Sequence, residues 1–298
     1  MAGVVRLSGG RQASYEVVGD GEPLLMFMGG PGLPAALMRS DAELLADRFS
    51  SYLIDPHGSG GSTPPADPAG YDHRGHAAFY DEVRAALGLE RVTVHGVSFG
   101  GTVALTYAAC YPDRTVRCLP VSAFAFGLEA DEARGGEAEA EMETLLARHA
   151  GADWYPEARA TWMAWTERTM AARDPAEIEA MFAHTIPLYC AEPDRPDVAE
   201  GLRALRSELR VDLAAMKAWE GGLYQSIDLA PLLPGIRCPT LVIAGELDLI
   251  CGPAQAGGIA AAIPGARLVT IPGCGHFPAL EAPAVYRTAM VDWLAGGA

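Results

Sequence analysis

The stretch "RVTVHGVSFGGTVAL", residues 91–105, decides the fold of this chain. Its first five residues are mostly β-branched or apolar and predict a strand, and the apolar run that begins near Thr102 predicts a buried helix. Ser98 lies in the turn between them, inside a G-x-S-x-G pattern. Gly96 and Gly100 permit a tight turn there, so we interpret Ser98 as a nucleophile presented at the carboxyl end of a strand.

Seven further runs of β-branched or apolar residues predict strands. They read GVVRL, ASYEVV, LLMFM, SYLID, VRCLPVS, PTLVIAG and ARLVTIP in chain order. From the third run onward the strands are separated by helix-length segments, which predicts a mostly parallel, doubly wound α/β sheet. The first two runs are joined by "SGGRQ", which predicts an antiparallel hairpin at the sheet edge. We therefore expect eight strands, followed by a final helix that begins at Pro283.

Residues 123–225 interrupt this alternation. They contain no run that is typical of a strand, and they hold 20 of the chain's 38 acidic residues and four of its five tryptophans. The pattern predicts several helices that form a cap over a site, inserted before the penultimate strand. Residues 1–122 and 226–298 would then form the α/β core. A solvated helical subdomain with ordinary tryptophan packing is the alternative.

The composition excludes several classes of protein. A formal net charge of −16 argues against a nucleic acid or an anionic membrane as partner. No apolar run reaches the roughly 18 residues of a membrane span, and residues 1–12 lack the apolar centre of a secretory signal. The six cysteines have no C-x-x-C spacing, which is typical of reduced thiols. We expect a cytoplasmic monomer or small homo-oligomer that acts on a small molecule or short peptide without cofactor or metal.

A serine hydroxyl needs a base and an acid to become a nucleophile. His276 follows the last predicted strand and precedes the final helix, which is where the base lies in the chain order serine, acid, histidine. Asp248, in the loop after the penultimate strand, is the predicted acid that orients this histidine. Three other residues stay open as alternatives: His57 and His95 for the base, and Glu246 for the acid.

Acyl transfer also needs two N–H donors aimed at the developing oxyanion. The backbone N–H of Phe99, directly after the predicted nucleophile, is the first candidate. The second comes from the loop "MFMGGPGLP" after the third strand, where we assign Gly30. Glycines allow the backbone to approach the substrate there, and we assign the neighbouring Gly29 to substrate binding.

Taken together, these motifs resemble the α/β-hydrolase family, and more narrowly its proline iminopeptidase-like branch. "MGGPG" is similar to H-G-G-P-G of that branch, "LIDPHGSGGST" to D-x-R-G-x-G-x-S, and "GVSFGG" to G-x-S-x-G-G. "GELDLICGP" is similar to G-R-x-D-x-x-C-x-P, and "GCGHFP" to G-x-G-H. The resemblance implies the α/β-hydrolase fold, a serine hydrolase with Ser98, Asp248 and His276 as its triad, and an aminopeptidase acting on small N-terminal residues.

The chain departs from the branch where substrates are selected. Met28, His57 and Glu246 replace a histidine and two arginines of the branch's motifs. In iminopeptidases, cap glutamates in a W-x-x-W-E pattern pair with the substrate's amino terminus. "WMAWTER" supplies Trp162 and Trp165, but its glutamate, Glu167, comes one residue late.

On one continuous helix, a shift of one residue turns a side chain by about 100°. Glu220, in "AWEGGLY", is a second candidate for the substrate amine. We keep three hypotheses for the activity: an aminopeptidase, a carboxylesterase or lactonase on a small ester, and a non-hydrolytic lyase on the same fold.

Overall fold

The computed structural model describes residues 1–133 and 135–295. Its strands form one eight-stranded sheet in the order β1-β2-β4-β3-β5-β6-β7-β8. Their bounds are β1 Ala2–Arg6, β2 Gln12–Val18, β3 Glu22–Phe27, β4 Phe49–Ile54, β5 Val92–Val97, β6 Thr115–Val121, β7 Leu241–Gly245 and β8 Arg267–Ile271. The first two strands pair antiparallel at the edge, and β3 to β8 run parallel. The predicted fold class is confirmed.

Helices cover both faces of the sheet and fill the connection between β6 and β7. The α-helices of the described residues are α1 Arg39–Leu44, α2 His73–Ala86, α3 Phe99–Cys110, α4 Leu128–Ala133, α5 Glu137–Leu146, α6 Tyr155–Met163, α7 Trp165–Ala171, α8 Pro175–Thr185, α9 Pro196–Glu208, α10 Leu213–Ala218, α11 Pro253–Ala262, α12 Pro278–Glu281 and α13 Pro283–Ala295. Short 3-10 helices span Ser8–Gly10, Ala35–Met38, Pro68–Tyr71, Ala147–His149, Ile186–Tyr189 and Leu233–Gly235, and a π-helix spans Trp219–Leu223. Within this part of the chain, no helix combines the length and apolar character needed to span a bilayer.

The central elements are buried on all sides, as their sequences predict. Every residue of β5 from Val92 to Gly96 is buried, which is typical of a parallel strand covered on both faces. Helix α3 is apolar around its whole circumference and is buried from Phe99 to Ala108. The final helix, α13, buries Tyr286, Met290 and Trp293 against the opposite face. This packing holds the end of β5 and the start of α3 rigidly in place.

Between β6 and β7, residues 123–225 form what we call the helical segment. Its described part contains helices and turns, with a single β-bridge from Phe126 to Asp228 as its only strand-like pairing. One of its apolar clusters includes Leu33, from the loop after β3, packed with Met181 and Met216. Next to that contact, the Asp212 N–H donates to the Gly32 carbonyl over 2.8 Å. The helical segment therefore contacts the loop that follows β3.

Candidate active site

Ser98 lies at the junction of β5 and α3 in an unusual backbone conformation. Its φ is 57° and its ψ is −127°, a region that non-glycine residues occupy rarely and at a cost of about 1–3 kcal/mol. The Ser98 N–H donates to the Val121 carbonyl, and the Gly101 N–H donates to the Ser98 carbonyl. These bonds fix the strained turn, which presents the serine at the carboxyl end of the sheet.

Gly29 lies directly against this turn. A Cβ placed on Gly29 would lie 2.4 Å from the Val97 carbonyl oxygen and 2.9 Å from the Ser98 Cβ. Any side chain at position 29 would therefore displace Ser98 or the backbone before it. The close approach explains why the loop after β3 has a glycine here.

His276 and Asp248 form a buried pair at the same end of the sheet. The Nδ1 atom of His276 lies 3.0 Å from each carboxylate oxygen of Asp248. Oδ1 of Asp248 also accepts the backbone N–H groups of Ile250 (2.9 Å) and Cys251 (3.0 Å). The carboxylate is thus fixed by the loop after β7, and it leaves the Nε2 atom of His276 without a hydrogen-bond partner among the described residues.

Cys251 lies next to this pair and near the serine. Its thiol is buried beside the Ser98 side chain, while its backbone N–H donates to Asp248. Burial and the neighbouring Asp248 carboxylate raise the pKa of the Cys251 thiol well above its ordinary value. Cys251 is therefore a neutral neighbour of Ser98 at physiological pH.

The two predicted oxyanion donors lie on either side of one small cavity. Gly30 and Phe99 both line it, together with Met28, Pro31, Pro56, His76, Tyr80 and Val103. Gly30 has a φ of 68°, a left-handed conformation that glycine adopts without strain. The loop after β3 therefore brings Gly30 beside the first residue of α3.

The alternative bases and acid have other partners. His95 Nδ1 lies 3.0 Å from the Leu119 carbonyl oxygen, and its Nε2 faces Tyr286 and Asp41. His57 packs against Phe79, with ring centroids 4.1 Å apart. Glu246 accepts the Gly273 N–H over 2.9 Å, so it holds the turn before the histidine loop. Of the candidate bases and acids, His276 and Asp248 are the two that the fold joins, as the sequence predicted.

Two aromatic side chains of the helical segment reach the core residues of the site. The ring of Tyr189 meets His276 edge to face at 5.4 Å and stacks on Phe277 at 5.7 Å, and Trp162 lies 6.1 Å from Tyr189. On the other side, the ring of Trp219 lies 4.8 Å from Phe99. The helical segment thus touches both the residue after the nucleophile and the histidine.

Glu220 and Glu167 occupy different environments. Glu220 is half-buried and accepts hydrogen bonds from Trp165 Nε1 (3.0 Å) and Thr166 Oγ1 (2.6 Å). Burial raises the pKa of Glu220, and these two donors act in the opposite direction. Glu167 is exposed.

The sequence spacing predicted one continuous helix from Trp162 to Glu167, and that prediction is wrong. Helix α6 ends at Met163 and α7 begins at Trp165, with Ala164 (φ −97°, ψ 8°) outside helical geometry. The break separates the two tryptophans. Trp162 faces Tyr189, whereas Trp165 packs on Phe182 at 4.7 Å and holds Glu220.

Three residues near the site were missed by sequence reasoning. Tyr189 lies in a short 3-10 helix with no motif around it, and Glu281 is a buried carboxylate five residues after the histidine. Cys251 corresponds to the cysteine of G-R-x-D-x-x-C-x-P, and the motif does not predict the hydrogen bond from its backbone N–H to Asp248. The described residues contain no group of three or more His, Cys, Asp or Glu side chains that could hold a metal ion.

The chain is similar to known proteins along nearly its whole length. Residues 22–283 match the family model described as alpha/beta hydrolase fold. The chain is 27% identical over 299 residues to the proline iminopeptidase of Lactobacillus delbrueckii subsp. lactis, which spans 96% of this chain and 95% of that relative.

Among solved structures, the chain resembles an alpha/beta fold family hydrolase from Bacillus anthracis str. Sterne. The TM-score is 0.78 at 17% identity, covering 98% of this chain and 99% of the other. It also resembles the enol-lactonase from Burkholderia xenovorans LB400, with a TM-score of 0.74 at 21% identity and coverage of 98% and 100%. At these identities the structural likeness establishes the fold.

Proposed function

This chain belongs to the alpha/beta hydrolase fold family, and on that premise we propose that it is a cofactor-free serine hydrolase whose nucleophile is Ser98. The observation that carries the proposal is the buried pair of His276 and Asp248, whose Nδ1 and carboxylate oxygen lie 3.0 Å apart at the same end of the sheet as the strained turn of Ser98. A neutral imidazole held by a carboxylate at a nucleophile's turn is the arrangement that activates a serine.

In the proposed reaction, the Ser98 hydroxyl first turns toward the free Nε2 atom of His276. Its oxygen then attacks the substrate carbonyl carbon while its proton passes to Nε2. The carbonyl oxygen becomes an oxyanion that accepts the backbone N–H groups of Gly30 and Phe99. Asp248 holds the imidazole in the required tautomer and stabilises its charged form.

Collapse of this intermediate breaks the bond to the leaving group, which takes the proton from His276. The acyl group stays on the Ser98 oxygen as an ester. A water molecule then attacks that ester and gives a proton to His276, which returns it to Ser98 as the acid product leaves. Each cycle therefore consumes one water and restores every side chain.

For the substrate, we propose a short peptide or amide with a free amino terminus on proline or another small residue. The similarity to a proline iminopeptidase along nearly the whole chain supports this choice. Glu220 supports it physically, because a half-buried carboxylate that already has two neutral donors still favours a cation beside it. Burial raises the pKa of Tyr189, with smaller contributions from Cys251, Glu220 and Asp248, and Tyr189 contacts His276.

The aromatic rings suggest how a small acyl group would be bound. Trp219, Phe124 and Tyr224 form a cluster with centroid separations of 5.4 to 5.7 Å, and Trp219 extends it to Phe99. Flat aromatic faces suit the apolar edge of a pyrrolidine ring. We propose that residues 123–225 act as a cap that supplies these rings and Glu220.

One observation favours a small ester as a second candidate. Glu167 is exposed, so it does not join Glu220 in the way that the W-x-x-W-E pattern of iminopeptidases would require. An ester or lactone needs no carboxylate to bind an amine. The triad chemistry is the same for both classes, so the cap residues decide between them.

A pair of matched variants separates these candidates. Proline and alanine arylamides, which carry a free amine, are compared with N-acetylated arylamides and short acyl esters. For an aminopeptidase, Glu220→Gln raises KM for free-amine substrates by about 10-fold or more, which corresponds to losing a charge-assisted hydrogen bond, and Glu167→Gln has no effect.

Ser98→Ala abolishes turnover of every substrate, because it removes the attacking oxygen. Full activity of Ser98→Ala would overturn the hydrolase mechanism. Turnover of esters without turnover of arylamides would overturn the aminopeptidase proposal in favour of an esterase.

A further inference from the structure

Glu281 is a buried carboxylate with an unusual set of partners. It ends α12, is 6% exposed, and accepts three backbone N–H groups. Oε2 accepts those of Ala191 (2.7 Å) and Gly275 (3.0 Å), and Oε1 accepts that of Phe277 (3.1 Å). Burial raises the pKa of Glu281, and the three backbone donors act in the opposite direction. Together these donors hold the carboxylate in one position.

These donors surround His276. Gly275 and Phe277 are its two chain neighbours, so Glu281 fixes the peptide units on either side of the histidine. The N–H of His276 itself donates to the Tyr189 carbonyl over 2.7 Å. Since Tyr189 lies two residues before Ala191, the same short stretch of the helical segment is bonded to the histidine and to Glu281.

The approach of these groups leaves no room at Gly275. A Cβ there would lie 2.4 Å from the Tyr189 carbonyl oxygen, 2.8 Å from the Ala191 nitrogen and 2.9 Å from Oε1 of Glu281. The glycine before the histidine is therefore required by the contact between this loop and the helical segment. It need not be explained by turn geometry.

Two arginines add bonds around Glu281 and Ala191. Arg195 donates to the backbone carbonyl of Glu281 (2.6 Å). Arg148 donates to the Ala191 carbonyl (2.7 Å) and to the carbonyl of Leu247 (3.4 Å), the residue before Asp248. Arg148 therefore links the loop of the acid to residue 191, and Glu281 links the loop of the histidine to the same residue.

We propose that Glu281 is a positioning residue, which aligns His276 with Asp248 by joining the histidine loop to the helical segment at Ala191. It touches no reacting atom in the proposed mechanism and acts through the backbone of residues 275–277. The expected effect of Glu281 on kcat rests on the proposed function. Its expected effect on the hydrogen bond between His276 and Asp248 does not.

The test replaces Glu281 by an isosteric amide. Glu281→Gln turns one acceptor into a donor that faces backbone N–H groups, so the histidine loop shifts. Turnover of p-nitrophenyl acetate is expected to fall about 10-fold or more in kcat with little change in KM, as for a misplaced catalytic group. Glu246→Gln is the matched control, because Glu246 accepts a single N–H in the adjoining loop, and it keeps wild-type kcat.

A second readout needs no turnover. The proton on Nδ1 of His276, hydrogen-bonded to Asp248, gives a far-downfield proton resonance that is assigned by its loss in His276→Gln. We expect it to weaken or vanish in Glu281→Gln at temperatures where circular dichroism shows a folded protein, and to persist in Glu246→Gln. If Ser98→Ala kept full activity, the proposed function would fail while this resonance would still test the positioning role.

Glu281→Asp keeps the carboxylate but shortens the side chain by one methylene. It is the test variant if Glu281→Gln does not fold. An intermediate kcat and a shifted resonance would support the proposal. Wild-type kcat and an unchanged resonance in whichever variant folds would overturn it. A lowered melting temperature with both readouts unchanged would also overturn it, since Glu281 would then contribute only to stability.

Discussion

The Cα of Gly100 faces the backbone carbonyl of Phe27 so closely that a Cβ on Gly100 would lie 1.9 Å from that oxygen. Both partners are backbone, and neither can rotate away. The first turn of α3 and the end of β3 are therefore in direct contact beneath the serine. The second glycine of G-x-S-x-G is required by this contact between two neighbouring elements.

Gly100→Ala is expected to lower the free energy of unfolding by about 3 kcal/mol or more, since an overpacked backbone contact must open. Urea denaturation measures the change. Gly257→Ala is the control: Gly257 lies inside α11 with open space around its Cα. That variant should raise stability by roughly 0.5–1 kcal/mol, as alanine does inside a helix. Equal effects at the two positions would contradict the packing argument.

Asp248→Asn is expected to reduce kcat by about 10⁴-fold, because an amide favours the wrong imidazole tautomer while preserving size. The fold should persist, since the asparagine oxygen still accepts the N–H groups of Ile250 and Cys251. Steady-state kinetics on the best substrate, with far-ultraviolet circular dichroism, measure both. Glu246→Asn would be expected to leave kcat unchanged, and a comparable loss in both variants would argue against Asp248 as the acid.

The buried ring of His76 is expected to make the free energy of unfolding depend on pH. Its ring is fully buried and its Nε2 has no hydrogen-bond partner among the described residues. Burial, with smaller contributions from His57 and His73, lowers the pKa of His76 to about 3. In the unfolded chain His76 takes up a proton as the pH falls below about 6.5, whereas in the folded protein it stays neutral until the pH is near 3. The free energy of unfolding therefore decreases as the pH falls from 6.5 toward 3.

His76→Phe removes this titration and keeps a ring among aromatic neighbours. Between pH 7 and pH 5, the wild type should lose about 2 kcal/mol more stability than the variant. Chemical denaturation at the two pH values measures the difference. His184→Gln, an exposed histidine of the helical segment, should keep the wild-type pH dependence. An unchanged dependence in His76→Phe would show that other groups dominate it.

Much of the fold and the pairing at its centre were predictable because each depends on local patterns. The eight strands follow from short apolar runs, and the order of serine, acid and histidine follows from where those runs end. The assignment of Asp248 over Glu246 rested on motif spacing. The structure adds the reason: Asp248 reaches His276, whereas Glu246, two residues earlier, binds the Gly273 N–H.

What the sequence could not predict depends on contacts between distant segments. Tyr189 reaches the histidine only through the folding of helices whose packing has no local signature. Glu281 is an ordinary acidic residue in the sequence, and its role depends on the N–H of Ala191, 90 residues away. The helix break at Ala164 is likewise invisible, because alanine is a favourable helix residue.

The bonds from Asp212 to Gly32 and from His276 to Tyr189 have a consequence for building chimaeras. Exchanging residues 123–225 for the corresponding part of a relative would cut the chain at two covalent junctions but disturb the attachment at two other places. An exchange of residues 123–225 therefore has to include the two surfaces to which they are bonded, namely the loop around Gly32 and the loop around Gly275. The helical segment is exchangeable only together with these two loops.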